Sequence, residues 1–467
     1  MDSDSARTLA AWIERAALEV VGVLGSDLNG IARGKQLPAV RLAADPDALR
    51  FPELVTFLDC ASQPVAVPAD DARWWPSWCG GFPDLRATID ASSARVVPWQ
   101  EHGGLVLCDF TALDGSARYD FLPRPMLARL CRRAERLGFK ARAACELEFV
   151  VFGEPNAAAG AREYRHLQPL WSTPQAYAMT TQGRYEGVVR ALHDNLAGLG
   201  LALESWGLEA GPGQLEYNLA ARDAAGAADD GFLLKHAVKE ITAALGLGAT
   251  FMARWGRGAF GNGHHVNLSL WRDDDVNAFF DAARPGRRSA LMEHFIAGVV
   301  ATLGDFAVLY APTVNSYRRF EPYRLTGMLA AWGEDNKTVA VRAVGETPAR
   351  TRIECRSAGA DASPHLALAA CLAGGLHGVE SALAPPPPVS GDAYARDDLA
   401  RLPANLDEAI ARFEASAVAH EYFGEAFVRL YACSRRAEAA AFAAATAGRN
   451  LDDEVTTFEL ARYLDSA

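Results

Sequence analysis

The chain has 467 residues, half of them hydrophobic and 22% charged, with a formal net charge of -12. That length exceeds what one hydrophobic core serves, so at least two domains are expected. The acidic balance argues against a nucleic-acid surface, which needs clustered Lys and Arg, but it leaves room for a nucleotide held by a few cations and a metal.

Eight cysteines (Cys60, Cys79, Cys108, Cys131, Cys145, Cys355, Cys371 and Cys433) form no CxxC pair. Most sit in apolar runs, which reads as reduced, buried thiols of a cytoplasmic protein. The first residues, MDSDSARTLAAWIE, lack the basic start and apolar run of a signal peptide. The apolar stretch 291–314 is interrupted by Glu293, His294 and Asp305, so it reads as a buried helix and not a membrane span.

In chain order, residues 6–20 read as a short amphipathic helix. VVGVLGSDLNGIARGKQLPA then reads as strand, turn, strand, with Asp27-Leu28-Asn29-Gly30 supplying the turn. Residues 40–110 hold short alternating segments, RVVPWQ and GLVLCDF among them. Trp74, Trp75 and Trp78 with Cys79-Gly80-Gly81 form an aromatic loop. These features predict a small mixed α/β domain over residues 1–113. The rest, residues 114–467, alternates helix and strand. Helices are expected at 121–138, opened by Pro and closed by Gly138, and at 183–199, 232–246, 291–309, 364–379 and 406–447. Strands are expected over Cys145–Phe152, up to Glu209, and in ATFMAR, HHVNLSLW, TVAVRA and RIECR. The strands beyond residue 140 are polar at alternate positions, as in an antiparallel sheet with one wet face. ALAPPPPVSGD reads as a stiff surface loop.

Several polar groups stand out on that sheet. Glu146 and Glu148 in CELEF share one strand face; they are either a solvated face or, given the apolar flanks, a metal site that offsets their repulsion. Glu209 and Glu216 flank Gly-Pro-Gly, and seven residues apart they converge only if that break bends the chain. Arg352, Glu354 and Arg356 in RIECR share a face, as an ion-pair stripe or as a metal ligand between phosphate-holding arginines. His265 and Asn267 share a face in GNGHHVN; beside five carboxylates the imidazole becomes a candidate ligand for Mg or Mn. NSYRR, DNK and Val341-Arg342-Ala343 add cations on separate segments. Metals with arginines suit phosphoryl transfer, and no GxxxxGK[ST] loop is present.

Taken in order, ELEF, E-x2-PGQLE, GNGHHVN, NSYRRF, DNK-x4-R and RIECR resemble the glutamine synthetase family, and the match runs from DLNGIARGK to RYL near residue 464. The resemblance implies an α+β protein. Its N-terminal β-grasp domain would precede a catalytic domain whose curved antiparallel sheet, flanked by helices, forms half of a funnel-shaped site. It also implies a ring hexamer or dodecamer with sites shared between subunits. By the same resemblance Glu148, Glu209 and Glu216 would hold one metal, Mg2+ or Mn2+, and Glu146, His265 and Glu354 another. Arg319 and Arg356 would hold the carboxylates of L-glutamate and the γ-phosphoryl group of ATP. Arg342 and Arg352 would lie near the nucleotide phosphates, with Asn267 and Ser269 at the nucleotide end. Gly261 would lie at the glutamate, and Asp59 matches the family's proton-accepting Asp.

Departures from the pattern bear on substrate. Where ammonia-using members carry a flap Glu, six residues after the Arg of NSYxR, this chain has Leu325. Phe260 replaces an Asn before the His loop, Lys337 an Arg, and Asn267 a second His. An apolar residue suits an amine with an organic group better than ammonium. The expected activity is therefore ATP-dependent joining of glutamate to an apolar or aromatic amine, an alkylamine or a polyamine through γ-glutamyl phosphate. The alternatives are an ammonia-dependent glutamine synthetase and a non-catalytic ring-forming relative. No membrane or nucleic-acid partner is expected.

Overall fold

The computed structural model describes residues 3–67, 81–116, 119–273, 275–345, 347–449, 451 and 455–467. Trp74, Trp75, Trp78, Cys79 and Gly80, the core of the expected aromatic loop, lie outside them.

The N-terminal part runs α1 (Ser3–Arg15), β1 (Val20–Ser26), β2 (Ala32–Pro38), α2 (Ala39–Ala44), β3 (Arg50–Pro52), β4 (Asp84–Val96) and β5 (Gly103–Ala112). Its sheet is five-stranded in the order β2-β1-β5-β4-β3. The β1–β2 hairpin turns at Asp27-Leu28-Asn29-Gly30: Asp27 Oδ1 accepts from Asn29 N and Ile31 N at 2.8 and 2.9 Å, and Gly30 takes φ +77. β1 also pairs in parallel with β5, which joins the hairpin to the remaining strands.

The remainder begins with α3 (Pro123–Arg136) and β6 (Lys140–Phe152), continues through α4 (Asn156–Ala161), α5 (Met179–Arg184) and α6 (Glu186–Gly198), and reaches the hairpin β7 (Leu203–Leu208) and β8 (Gln214–Leu219). Then come β9 (Arg222–Asp223), α7 (Ala224–Ala244), β10 (Gly248–Thr250), β11 (His264–Trp271), α8 (Ala290–Thr302) and α9 (Ala307–Tyr310). β12 (Trp332–Glu334), β13 (Val341–Val344), β14 (Arg352–Cys355) and α10 (Pro364–Glu380) follow, and the chain closes with α11 (Leu406–Ala415), α12 (Ala417–Phe423), α13 (Glu425–Ala445) and α14 (Thr457–Tyr463).

The second sheet has nine strands. Its main path is β12-β13-β14-β11-β6-β8-β7, and β9 and β10 pair with the long central strand β6. Pairing is antiparallel among the described residues except between β12 and β13. Helices α3, α7 and α10 pack behind this sheet, and α8 packs against α10. α8 and α10 cross closely because glycines meet there: a Cβ on Gly298 would lie 2.1 Å from Gly374 O. One apolar core runs continuously from the first sheet into the second. Arg124, at the start of α3, ties the two together, 2.9 Å from Asp229 on α7 and 3.3 Å from Asp109 on β5.

Several expected elements differ in extent, each for a local reason. α7 starts at Ala224 because Asp223 caps it, its Oδ1 accepting from Gly226 N at 2.8 Å. ATFMAR gives a strand of only three residues. The 291–309 helix divides into α8 and α9. The Ala-rich tail divides at Ser416, which caps α12, and at Gly424, whose φ of +88 no ordinary residue takes easily. The seven described cysteines are free, and six of them are buried, as the sequence suggests. Among the described residues no helix is long and apolar enough to cross a membrane.

Candidate active site

β6 places Glu146 and Glu148 on one face, and register does the rest. Antiparallel pairing sets His265 of β11 opposite Glu146, and Glu216 of β8 opposite Glu148. On the far side of β11, Glu354 of β14 stands opposite both Asn267 and Arg342. The Gly-Pro-Gly break is the turn of the β7–β8 hairpin, with Gly213 at φ +67, so the chain bends as the spacing of Glu209 and Glu216 requires.

The ligand atoms of Glu146, Glu216 and His265 lie within 4.8 Å of one another. His265 Nδ1 is 2.6 Å from Glu146 Oε1 and 3.9 Å from Glu354 Oε1. Glu148 Oε2 accepts from Gly263 N at 2.7 Å and Gln214 Nε2 at 3.2 Å. Glu209 accepts from Tyr177 Oη at 3.1 Å and from Ala210 N at 3.0 Å. The tight trio therefore draws one carboxylate from each of the two ligand sets expected from the sequence. Glu148, Glu209 and Glu354 stand outside it; Glu354 is held by two arginines. Arg342 Nη1 meets Glu354 Oε2 at 2.6 Å, and Arg356 pairs with the other oxygen.

Crowding sets the electrostatics. Burial, then the neighbouring Glu216 and Glu209, pushes Glu148 up to about 8. Burial, then Glu146, raises Glu216 to about 8, and Glu146 is itself raised by burial and Glu354. Burial opposes ionisation of Glu354 too, but the Arg356 and Arg342 guanidinium groups outweigh it and hold that carboxyl below its ordinary range. His265 is pushed well below its ordinary 6.5, by burial first and the Arg356 charge second, which leaves a neutral ring able to donate a lone pair. Carboxylates whose ionisation is opposed by burial and by one another, beside one neutral imidazole, form an oxygen-rich donor set that suits a hard divalent cation.

This predicts a measurable linkage. Raised carboxyls stabilise the metal-free fold fully below about 4.5, and that contribution is lost as pH climbs through about 8. A divalent metal binds the ionised groups, so the rise in Tm from Mg2+ or Mn2+ should grow between pH 5 and pH 8, roughly the window those values span, with proton release on binding. A metal-induced Tm shift that is flat across that window, or no proton release in buffers of differing ionisation enthalpy, would rule out these carboxylates as the ligands.

Two cavities meet at the cluster, both lined by Glu146. The larger, about 470 Å³, is bordered by Asn267, Ser269, Arg342, Arg350 and Arg352. Arg352 Nε donates to Asn267 Oδ1 at 2.8 Å, and Ser269 Oγ accepts from Trp271 Nε1 at 2.9 Å. Arg342 Nε also donates to Asp335 at 2.9 Å. The smaller cavity, about 180 Å³, holds the acidic cluster on one side and Phe260, Leu325, Lys337 and Arg356 among its other walls. Arg319 lies beneath, 4% exposed, donating to Thr326 O, Ser357 O and Arg356 O at 3.3, 3.2 and 3.0 Å. Burial lowers it to about 10, so it stays charged at neutral pH. Gly261 is required there, since a Cβ would lie 2.7 Å from Arg319 Cγ. Leu325 takes φ +56, and its carbonyl accepts from Arg356 Nη2 at 3.2 Å.

Two expected site residues line neither cavity: Glu354, which is paired with Arg342 and Arg356, and Asp59. The Asp59 carboxylate accepts from Ala61 N at 2.9 Å and Gln63 N at 2.8 Å, and it pairs with Arg462 at 2.7 Å. Residues that the sequence reading passed over include Gln214, whose amide ties Glu148 to Gly261 O and Asn262 Oδ1. Asn218, two residues after Glu216 and hence on its face, donates to it at 2.9 Å. That spacing was the available signal; nothing in the sequence marked Tyr177.

Residues 120–454 match the glutamine synthetase catalytic domain. Over 458 residues the chain is 33% identical to a glutamate–isopropylamine ligase from a Pseudomonas species, covering 97% of this chain and 96% of that protein. It is 35% identical to the γ-glutamylethanolamide synthetase GlnA4 of Streptomyces coelicolor, covering 98% and 95%. A solved GmaS–ADP complex superposes with a TM-score of 0.80 at 26% identity, over 93% of this chain and 96% of that one. The curled sheet with its buried acidic face is a catalytic fold of ATP- and metal-using enzymes. The chain belongs to the glutamine synthetase family.

Proposed function

We propose that this chain is an ATP-dependent ligase that joins the γ-carboxylate of L-glutamate to an organic amine, giving a γ-glutamylamide with ADP and phosphate. The observation that carries this reading is the pair of cavities meeting at Glu146, one lined by arginines and one ending at Leu325. Relatives named for isopropylamine and ethanolamine support an organic amine over ammonia.

In this reading ATP occupies the larger cavity, with Arg342 and Arg352 at its phosphates and Asn267 and Ser269 near its base. Glutamate occupies the smaller one beside Gly261, its carboxylates facing Arg319 and Arg356. Glu148, Glu209 and Glu216 would hold one Mg2+ or Mn2+, and Glu146, His265 and Glu354 another. Bound there, the ions neutralise phosphate charge. Arg319 stays cationic because three carbonyls accept from it, and Arg356 is fixed by Glu354 and the Leu325 carbonyl, so both donors are in place before substrate arrives.

The γ-carboxylate attacks the terminal phosphorus and ADP leaves. The amine lone pair then attacks the carbonyl carbon of the γ-glutamyl phosphate, the C–O bond to phosphate breaks, and the nitrogen's proton departs with the phosphate. Holding both partners around one cluster makes each step effectively unimolecular. Lys337, on the loop before β13, supplies a further cation to this chamber. Phe260 and Leu325 would face the amine's organic group.

Asp59 would act as proton acceptor only across a ring, in a neighbouring subunit's site. We include in the proposal a hexameric or dodecameric ring and a cytoplasmic location. We also assign residues 1–113 to a β-grasp domain, supported by the mixed five-stranded sheet that ends at Ala112, and residues 114–467 to the catalytic domain. Glutamate labelled with 18O in its γ-carboxylate, incubated with ATP, Mg2+ and isopropylamine, should pass one label into the released phosphate. Unlabelled phosphate would exclude the acyl phosphate.

A further inference from the structure

Phe260, Tyr323, Arg324, Leu325 and Thr326 line the smaller cavity together with the acidic cluster, and this group carries no carboxylate of its own. The guanidinium of Arg324 lies 4.3 Å over the Phe260 ring. Stacking on an aromatic face fixes a guanidinium while leaving its charge intact. The carboxylate paired with Arg324 is Glu321, at 3.5 Å, and it is also engaged by Arg254 at 2.6 Å. Arg254 is 3% exposed and so holds Glu321 in place. Tyr323, beside Arg324, packs its ring 5.2 Å from Tyr394. Outside the acidic cluster, these residues thus offer apolar and aromatic surface and one fixed positive charge, with Glu321 already paired.

We infer that Arg324, held on Phe260 and paired with Glu321, is a specificity-determining residue that admits short monoamines with apolar tails and rejects diamines and polyamines. This inference rests on the glutamate–amine ligase reading. A monoamine reaches the γ-carboxyl carbon with its hydrocarbon tail against Phe260 and Leu325. A diamine of the same length would bring its distal ammonium up to the Arg324 guanidinium, with nothing to neutralise it. The same cation favours the uncharged form of the reacting amine, and that form carries the lone pair that attacks.

The test is a matched pair, butylamine and putrescine, which differ only in the terminal ammonium. Wild-type enzyme should prefer butylamine in kcat/KM by about tenfold or more, the scale of one unscreened like charge near a protein surface. Arg324→Lys keeps the charge and should keep the preference. Arg324→Met keeps the bulk and should cut it to about threefold or less, and Arg324→Glu should bring putrescine to parity or ahead. The change should lie in the amine KM. Arg324 is on the cavity wall with a side chain 30% exposed, so melting curves of all three variants should overlay the parent's. Equal use of both amines by the wild type would overturn the inference, as would Lys and Met variants that behave alike. Neither result touches the ligase reading. Silence with every amine would end the ligase reading and this inference with it.

Discussion

Glu354→Gln should reduce ATP-dependent phosphate release by about 1,000-fold or more, the scale of removing a preorganised charge from a closed site. Each Glu354 oxygen is committed to a different guanidinium, Oε1 to Arg356 and Oε2 to Arg342. An amide keeps one acceptor and turns an N–H2 group toward the other arginine, so one guanidinium loses its partner and its orientation. The side chain is 2% exposed, so the loss is not made good by water. Stability should fall as well, by about 3–5 kcal/mol in the absence of ligand, because a buried ion pair has lost one member. Glu354→Asp keeps the charge and should recover part of both. A Gln variant with more than a tenth of wild-type turnover would remove Glu354 from the site's machinery.

The second large effect is expected at Leu325. Leu325→Glu should raise the use of ammonium relative to isopropylamine by about tenfold to a hundredfold, since a carboxylate lining the smaller cavity would stabilise a small cation there. Leu325 is 42% exposed and already at φ +56, so the exchange adds no backbone strain that is not present and costs about 0.5 kcal/mol or less in stability. An unchanged ratio would mean that the amine does not meet this residue.

How much of this was readable beforehand depends on whether a feature is local in sequence. Glu146 and Glu148 share a face by strand periodicity alone, and Gly-Pro-Gly announces its own turn. The RIECR face was also legible, but its two readings were not separable: Glu354 proves to be bound by two arginines and also to lie 3.9 Å from His265. What periodicity cannot supply is register. That His265 faces Glu146, and Glu216 faces Glu148, follows from pairings across β11, β6 and β8, whose partners are far apart in the chain. The tight trio therefore crosses the two ligand sets that the resemblance implied. The stack of Arg324 on Phe260 joins residues 64 positions apart by number and has no sequence signature. Asp59 shows the converse case: a residue chosen by alignment whose partner, Arg462, lies near the other end of the chain.

Boundaries slipped where capping and turn chemistry act over one or two residues. Asp223 lengthened one helix, and Ser416 and Gly424 divided another, although the apolar pattern ran straight through both places. In each case a local hydrogen bond or a positive φ outweighed a favourable helical composition.

The most direct test of the whole account is phosphate release from ATP and L-glutamate, with Mg2+, across ammonium, methylamine, isopropylamine, ethanolamine, putrescine, spermine and aniline. An organic monoamine should exceed ammonium by about tenfold or more in kcat/KM, with one γ-glutamylamide formed for each phosphate. Ammonium as the best substrate would make Leu325 irrelevant to the amine and the chain a glutamine synthetase, and no release with any amine would contradict the ligase itself.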